Sequence, residues 1–238
     1  MVETVTRPNL RNHLVSHVFN AVLHGKLPPG TRIIEGKLAR QLGVAQGTLR
    51  EALQELEHQG LVRRVDRRGT FVTKLTPRDV EDIYVVRLAL EPLAASLARP
   101  HIKPDDLKQL ADLLGKMRKA AQERAFVQLL KTDLAFHQLI WRLSGNAPLE
   151  RALNAVCPPL FASYMIRLYS GNLYDFEKDH QDHAILIATL GKGSVEEVHE
   201  TFRTIVSVFR TRELRNLPID GSQATEDPFE GAPPLQPE

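Results

Sequence analysis

Cysteine is almost missing from this chain of 238 residues. The single Cys157 excludes an internal disulfide and suits a reducing, cytoplasmic setting. No apolar run approaches the roughly 20 residues that a bilayer-spanning helix needs, so no membrane partner is expected. The opening MVETVTRPNLRNH does not read as a secretory signal. There is no internal repeat. Net charge is also small, only +2, but it is unevenly placed. Residues 1–76 hold 12 Lys+Arg against 6 Asp+Glu, a net of +6; the remainder holds 19 against 23, a net of −4. A basic front on an acidic remainder is the electrostatic footprint of a DNA reader joined to something that is not one. The length suits two domains.

The basic front contains EGKLARQLGVAQGTLREALQELEHQ at 35–59. Leu38, Ala39 and Leu42 give one short apolar face. Leu49, Ala52, Leu53 and Leu56 follow at i, i+3, i+4 and i+7, the pattern of an amphipathic helix. Two such helices joined at Gly43 form a helix-turn-helix, whose second helix enters the DNA major groove. Gln46, Gly47, Thr48 and Arg50 open that second helix. Their side chains can bond base edges or phosphates, and Gly47 permits close approach. Lys37, on the first helix, joins the expected contact set. Next come β-prone Leu61–Val65 and Thr70–Val72, with turn-prone Asp66–Gly69 between them. Arg67, Arg68 and Gly69 form the tip of this hairpin, and Arg63 and Arg64 lie on its incoming strand. The hairpin reads as the wing of a winged helix, its arginines reaching phosphate or minor groove. The plainer alternative is a solvated charged turn.

The run GKLPPGTRIIEGKLARQLGVAQGTLREALQELEHQGLVRRVDRRGTFV resembles the DNA-binding domain of the GntR family of bacterial transcription regulators. It shares that family's G-x-L-x-P-G turn, its L-A-x-x-L-G-V first helix, its R-E-A-L-x-x-L-x-x-x-G-L-V recognition helix and its R-R-G-x-x-V wing. The likeness covers nearly all of residues 10–75. The chain departs from it at Ala45-Gln46-Gly47-Thr48, where the family has Ser-Arg-Thr-Pro. Ala45 cannot cap the helix as Ser does, a loss of roughly 1 kcal/mol. Gln46 stands where an arginine commonly meets guanine; glutamine prefers adenine, so a different base is expected at that operator position.

Leu10–His24 reads as a helix packed behind the reading head, with residues 1–9 frayed. Thr76-Pro77-Arg78-Asp79 starts another helix, with a Thr cap, Pro at its first position and an acid in its first turn. No Gly/Ser linker separates it from the wing, so the two domains are expected to be mechanically coupled. Further helices are expected over Pro104–Glu123, Ala125–Leu143, Pro148–Tyr169 (kinked or broken at Pro158-Pro159), Asp175–Leu190, and from a Ser194/Glu197 capping box to Arg215. The fold class is therefore mainly α. A winged helix-turn-helix over 1–75 precedes an all-helical antiparallel bundle of about six helices over 76–216, for effector binding and dimerisation. Residues 217–238, Pro-rich and acidic, read as a disordered tail.

The second domain resembles the FCD ligand-binding domain of FadR-type GntR regulators, closer to the VanR-like group. The likeness rests on IYVVRLALEPLAASLA at 83–98, DLAFHQLIWRLSGN at 133–146 and HQDHAILIATLGKG at 180–193. Asp133 and His137 are i and i+4, so one helix face offers both to one cation. His183 sits among Ile185, Leu186 and Ala188, which points it to the core. His180, one turn away, reads as solvent-facing. The resemblance implies that Asp133, His137 and His183 hold a divalent metal such as zinc, with a fourth histidine from the last helix. That fourth position falls at Ile205, which cannot coordinate. His199 lies six residues earlier, about 600° of helix rotation and about 9 Å of rise, and is expected to miss the site. Three ligands can bind metal with water or an effector carboxylate completing the shell; they can equally be polar remnants lining a pocket.

Arg87 lies on an otherwise apolar face. Similar proteins place an arginine there for an effector carboxylate; the alternative is a salt bridge to Glu91 one turn on. Asn146, Tyr164 and Arg167 are further candidates for lining the cavity. The expected function is a homodimeric regulator that binds double-stranded operator DNA and answers to a small organic acid. Two rivals remain: a DNA-binding protein with a vestigial bundle, and a metal-dependent hydrolase built on Asp133, His137 and His183. The second requires a general base beside the metal, and no such arrangement is visible, so the chain is not expected to be an enzyme.

Overall fold

The computed structural model describes residues 7–169 and 176–215. They fall into two compact units that divide between Lys74 and Leu75.

In the first unit, α1 (Arg7–Leu23) buries Leu14, Val15, Val18, Phe19 and Val22, spaced at near-helical intervals on one face. They meet Leu49, Ala52, Leu53 and Leu56 of α3 (Gln46–His58), all buried. Each such Leu, Val or Phe contributes about 1.5–3 kcal/mol relative to exposure. Between them, α2 (Glu35–Gln41) is stopped by Gly43, whose φ of 64° is left-handed. That conformation lets Val44 N–H reach back to the Ala39 carbonyl at 3.0 Å and Gly43 N–H to Arg40 at 3.2 Å. The helix end is thus satisfied and the chain turns into α3.

Three strands complete this unit: β1 (Arg32–Ile33), β2 (Val62–Val65) and β3 (Gly69–Val72). All pairs are antiparallel and the spatial order is β1-β3-β2. The β2–β3 hairpin is the expected wing. β1 was not expected, because two residues are too short to show alternation. It is held by its neighbours: Val72 N–H donates to Thr31 at 2.9 Å, and Gly30 N–H donates to Val72 at 3.0 Å.

The second unit is all-helical. Its described elements are α4 (Pro77–Ala98) with a 3₁₀ turn at Arg99–His101, α5 (Pro104–Gln122), α6 (Phe126–Leu143), α7 (Ala147–Val156), α8 (Pro158–Tyr169), α9 (Phe176–Lys192) and α10 (Val195–Arg215). Thr76 caps α4 reciprocally with Asp79: Asp79 N–H donates to Thr76 Oγ1 at 3.1 Å, and Thr76 N–H to Asp79 Oδ2 at 2.8 Å. Ser194 and Glu197 do the same for α10. α6 sits innermost, with Phe126, Leu129, Leu130, Leu134, Phe136, Leu139, Ile140 and Trp141 all buried. It packs on α4, α5, α7 and α8. A helix with so wide an apolar surface must be largely surrounded, and its buried polar residues face the interior. Asp133 and His137 are on it.

Several expected boundaries shift. Pro158-Pro159 breaks its segment into α7 and α8, giving seven α-helices among the described residues of this unit rather than about six. α9 does not stop before Gly191 but continues to Lys192; a single glycine costs a helix only about 1 kcal/mol. α9 leaves Ile185 about half exposed, yet His183 points into the core as expected. Residues 7–9, expected to fray, are helical, and residues 1–6 and the expected tail at 217–238 lie outside the described residues.

Leu53→Ala should lower the stability of the first unit by about 3 kcal/mol, the usual cost of an unfilled leucine site. Urea denaturation checks this; a loss under about 1 kcal/mol would show that α3 is not packed through Leu53.

Candidate nucleic-acid interface and effector cavity

The start of α3 presents Gln46, Gly47 and Arg50 to solvent, with Thr48 half-buried; Lys37 is exposed on α2. Ala45 occupies the N-cap with no side-chain hydrogen bond, so the first amides of α3 are left without a side-chain acceptor from it. A side chain at Gly47 would meet no protein atom within 4 Å, so packing does not require glycine there. Arg50 is not a free cation: its Nε donates to Glu35 Oε2 at 3.1 Å. At the hairpin tip, Arg67 and Arg68 are exposed, as are Arg63 and Arg64 on β2. Arg67 has a φ of 59°, a left-handed conformation costing a non-glycine residue about 1 kcal/mol. Its 3.9 Å pairing with Asp66 lies in full solvent and holds little.

The second unit encloses a cavity of about 30 Å³ lined by Tyr84, Arg87, Asp133, His137, Tyr164, Asp179, His183 and Glu213, with Leu160, Phe161 and Phe209 as apolar walls. That volume suits an ion or a single water. One donor atom each from Asp133, His137 and His183 lies within 4.8 Å of the others, and all three residues are buried. His183 Nε2 is 3.4 Å from Asp133 Oδ1, and His137 Nε2 is 3.7 Å from the same oxygen. Both rings are oriented from behind. His183 Nδ1 lies 2.8 Å from the Asp179 carbonyl, which can only accept, so the proton is on Nδ1 and donates. His137 Nδ1 faces Glu91 Oε1 at 3.6 Å. In a neutral His183 the Nε2 lone pair therefore points at a carboxylate oxygen. Neither atom has a hydrogen-bond partner. Two buried acceptors facing one another fit a cation between them, and the partners behind the rings are the kind that orient metal-binding imidazoles.

Without a metal, protons do part of this work. Burial opposes charge on His183, but the negative charges of Asp179 and Asp133 outweigh it and raise its pKa to about 9. His137 is held well below its usual value by burial and by the positive charges of Arg87 and His183. Asp179 is pushed up to about 7, chiefly by burial.

Arg87 is buried and donates through Nε and a terminal nitrogen to Glu91 Oε2, at 3.2 and 3.0 Å. It also stacks near the Tyr84 and Phe161 rings. The salt bridge to Glu91 is present, and Arg87 also lines the cavity. Tyr84, Asp179 and Glu213 were missed from the sequence, whereas Glu91 was read there as a partner for Arg87. Asp179 stood one turn from His183, a usable sign; Glu213 left none. Two expected lining residues lie elsewhere. Asn146 caps α7, accepting from Leu149 N–H at 3.1 Å. Arg167 stands behind the wall, bonded to Ser163 and Glu213. Ile205 is buried and offers no donor, while His199 is half exposed and paired with Glu200 at 3.4 Å.

Residues 82–207 match the model of the FCD domain, and residues 10–72 match that of bacterial regulatory proteins of the gntR family. This chain belongs to the GntR family and carries an FCD domain. Among its relatives, the HTH-type transcriptional regulator YdhC of Bacillus subtilis (strain 168) is 34% identical over 61% of this chain and 63% of its own length, so less than two thirds of YdhC is matched. A probable D-xylose utilization operon transcriptional repressor of Paenarthrobacter nicotinovorans is 29% identical over 64% of this chain and 67% of its own. Among solved structures, E. coli McbR/YncC superposes with a TM-score of 0.65 at 23% identity, covering 90% of this chain and 98% of that one. A GntR regulator from Rhodococcus sp. RHA1 gives 0.60 at 19% identity, covering 86% and 97%. At those identities the structures speak for the fold alone.

In this GntR-type chain, Asn146→Ala should cost about 1 kcal/mol of stability through the lost cap, while zinc affinity stays unchanged. Thermal unfolding and titration calorimetry read the two effects separately; a fall in zinc affinity would return Asn146 to the cavity.

Proposed function

We propose that this regulator binds operator DNA as a homodimer, through α3 and the wing, and responds to a small organic acid held with a divalent metal in the helical unit. The carrying observation is the meeting of Asp133, His137 and His183, with Asp133 Oδ1 and His183 Nε2 unpartnered, beside the buried Arg87 guanidinium. A bound metal supplies a Lewis-acid anchor for an effector carboxylate. Arg87 offers the guanidinium fork that suits such a group. The cavity of about 30 Å³ is small for an acid of several carbons. An acid that binds a rearranged state of the cavity walls better shifts the protein toward that state. Half-site spacing restricts which head placements DNA tolerates, so a modest rearrangement can change affinity strongly.

The homodimer reading is supported by α4. Val85, Ala89, Leu93 and Leu97 recur at every fourth residue and are all exposed. A second copy of the chain is the occupant we assign to this stripe, because a helix face can pack on its own symmetry mate.

Three measurements test the proposal. His137→Ala should reduce bound zinc per chain to below half of the wild-type value by elemental analysis; wild-type protein that takes up no zinc on titration would remove the metal and leave a metal-free acid pocket. Arg50→Ala should weaken binding to a duplex selected by the wild type from random sequence by more than tenfold, with an unchanged melting temperature. Leu93→Glu should shift the chain from dimer to monomer in light scattering; a persistent dimer places the contact elsewhere.

A further inference from the structure

Glu35 is a buried-side acid on a surface that reads polyanionic DNA. Its side chain is only 19% exposed, against 53% for its partner Arg50. Its two oxygens serve different elements. Oε2 accepts from Arg50 Nε on α3 at 3.1 Å, and Oε1 lies 3.4 Å from the hydroxyl of Thr70 on β3. Thr70 is buried. Glu35 itself opens α2, where the helix dipole favours a negative charge. One carboxylate thus ties all three parts of the reading head together: first helix, recognition helix and wing strand.

A guanidinium has five N–H donors. Glu35 engages Nε, so the terminal nitrogens of the half-exposed Arg50 are not needed for that bond and can grip guanine or phosphate. An unrestrained arginine loses rotamer freedom when it docks, a cost that a prior tether removes. We propose that Glu35 is a positioning residue, which holds Arg50 extended for base or phosphate contact before DNA arrives. It rests on the DNA-reading role proposed above. The alternative, an acid that merely sits near the interface, makes the opposite prediction: removing a negative charge beside phosphates should tighten binding.

The test uses the full chain and a duplex that the wild type selects from a random library, with a scrambled duplex as control, both at one fixed salt concentration. Glu35→Ala should weaken binding to the selected duplex about five- to tenfold and narrow its advantage over the scrambled one. Glu35→Gln, which keeps an acceptor oxygen in place, should stay within about threefold of wild type. Glu35→Asp keeps the charge but withdraws the oxygen by one methylene, and should lose affinity as the alanine variant does. In an Arg50→Ala background, Glu35→Ala should change nothing further. Equal or tighter binding by both Glu35→Ala and Glu35→Asp overturns the inference while leaving the DNA-reading role intact. A wild type that enriches no duplex overturns both.

Discussion

Charge buried inside the helical unit is the constraint that organises the cavity and everything around it. Arg87, Glu91, Asp133, His137, Asp179, His183 and Glu213 are all removed from water. Each isolated charge there costs several kcal/mol, so each must face a partner. Arg87 meets Glu91, Glu213 meets Arg167, and Asp182 meets Lys178 and Arg212. Four atoms of the set, Glu91 Oε1, Asp133 Oδ1, Asp179 Oδ1 and His183 Nε2, have no hydrogen-bond partner, and Asp133 Oδ1 and His183 Nε2 lie 3.4 Å apart. Under the metal role proposed above, a cation fills that gap; without one, the raised His183 pKa lets a proton do so.

The reading head solves a different problem. Its charges lie outside, where solvent screens them, and its stability comes from the apolar contact between α1 and α3. The electrostatics are then free to serve recognition. Arg67 shows this: its left-handed backbone would suit glycine better, yet an arginine occupies the wing tip.

Most of the architecture was legible in the sequence because helix periodicity and capping are local. The Thr76–Asp79 and Ser194–Glu197 boxes and the i, i+3, i+4 spacing of α3 need only a few neighbouring residues. β1 was not legible, since a two-residue strand exists only through its partner β3. The cavity divides in the same way. Asp133 and His137 share a helix turn, and Arg87 with Glu91 does too, so spacing alone pairs them. Glu213 comes from the last helix and Tyr84 from α4, and only packing brings them together. Asn146 misled because its neighbourhood resembles a pocket motif, while its local chemistry, an amide before Ala147-Pro148, is that of a helix cap.

The two oxygens of Glu91 point to different tasks. One holds Arg87 and the other stands behind His137. If the cavity works as proposed, an acid that draws Arg87 away leaves Glu91 to the imidazole alone, which makes that ring a better metal donor. Thermodynamic reciprocity then requires the converse: a loaded metal eases entry of the acid by the same factor. Under that reading the helical unit answers to acid and metal together rather than to either one.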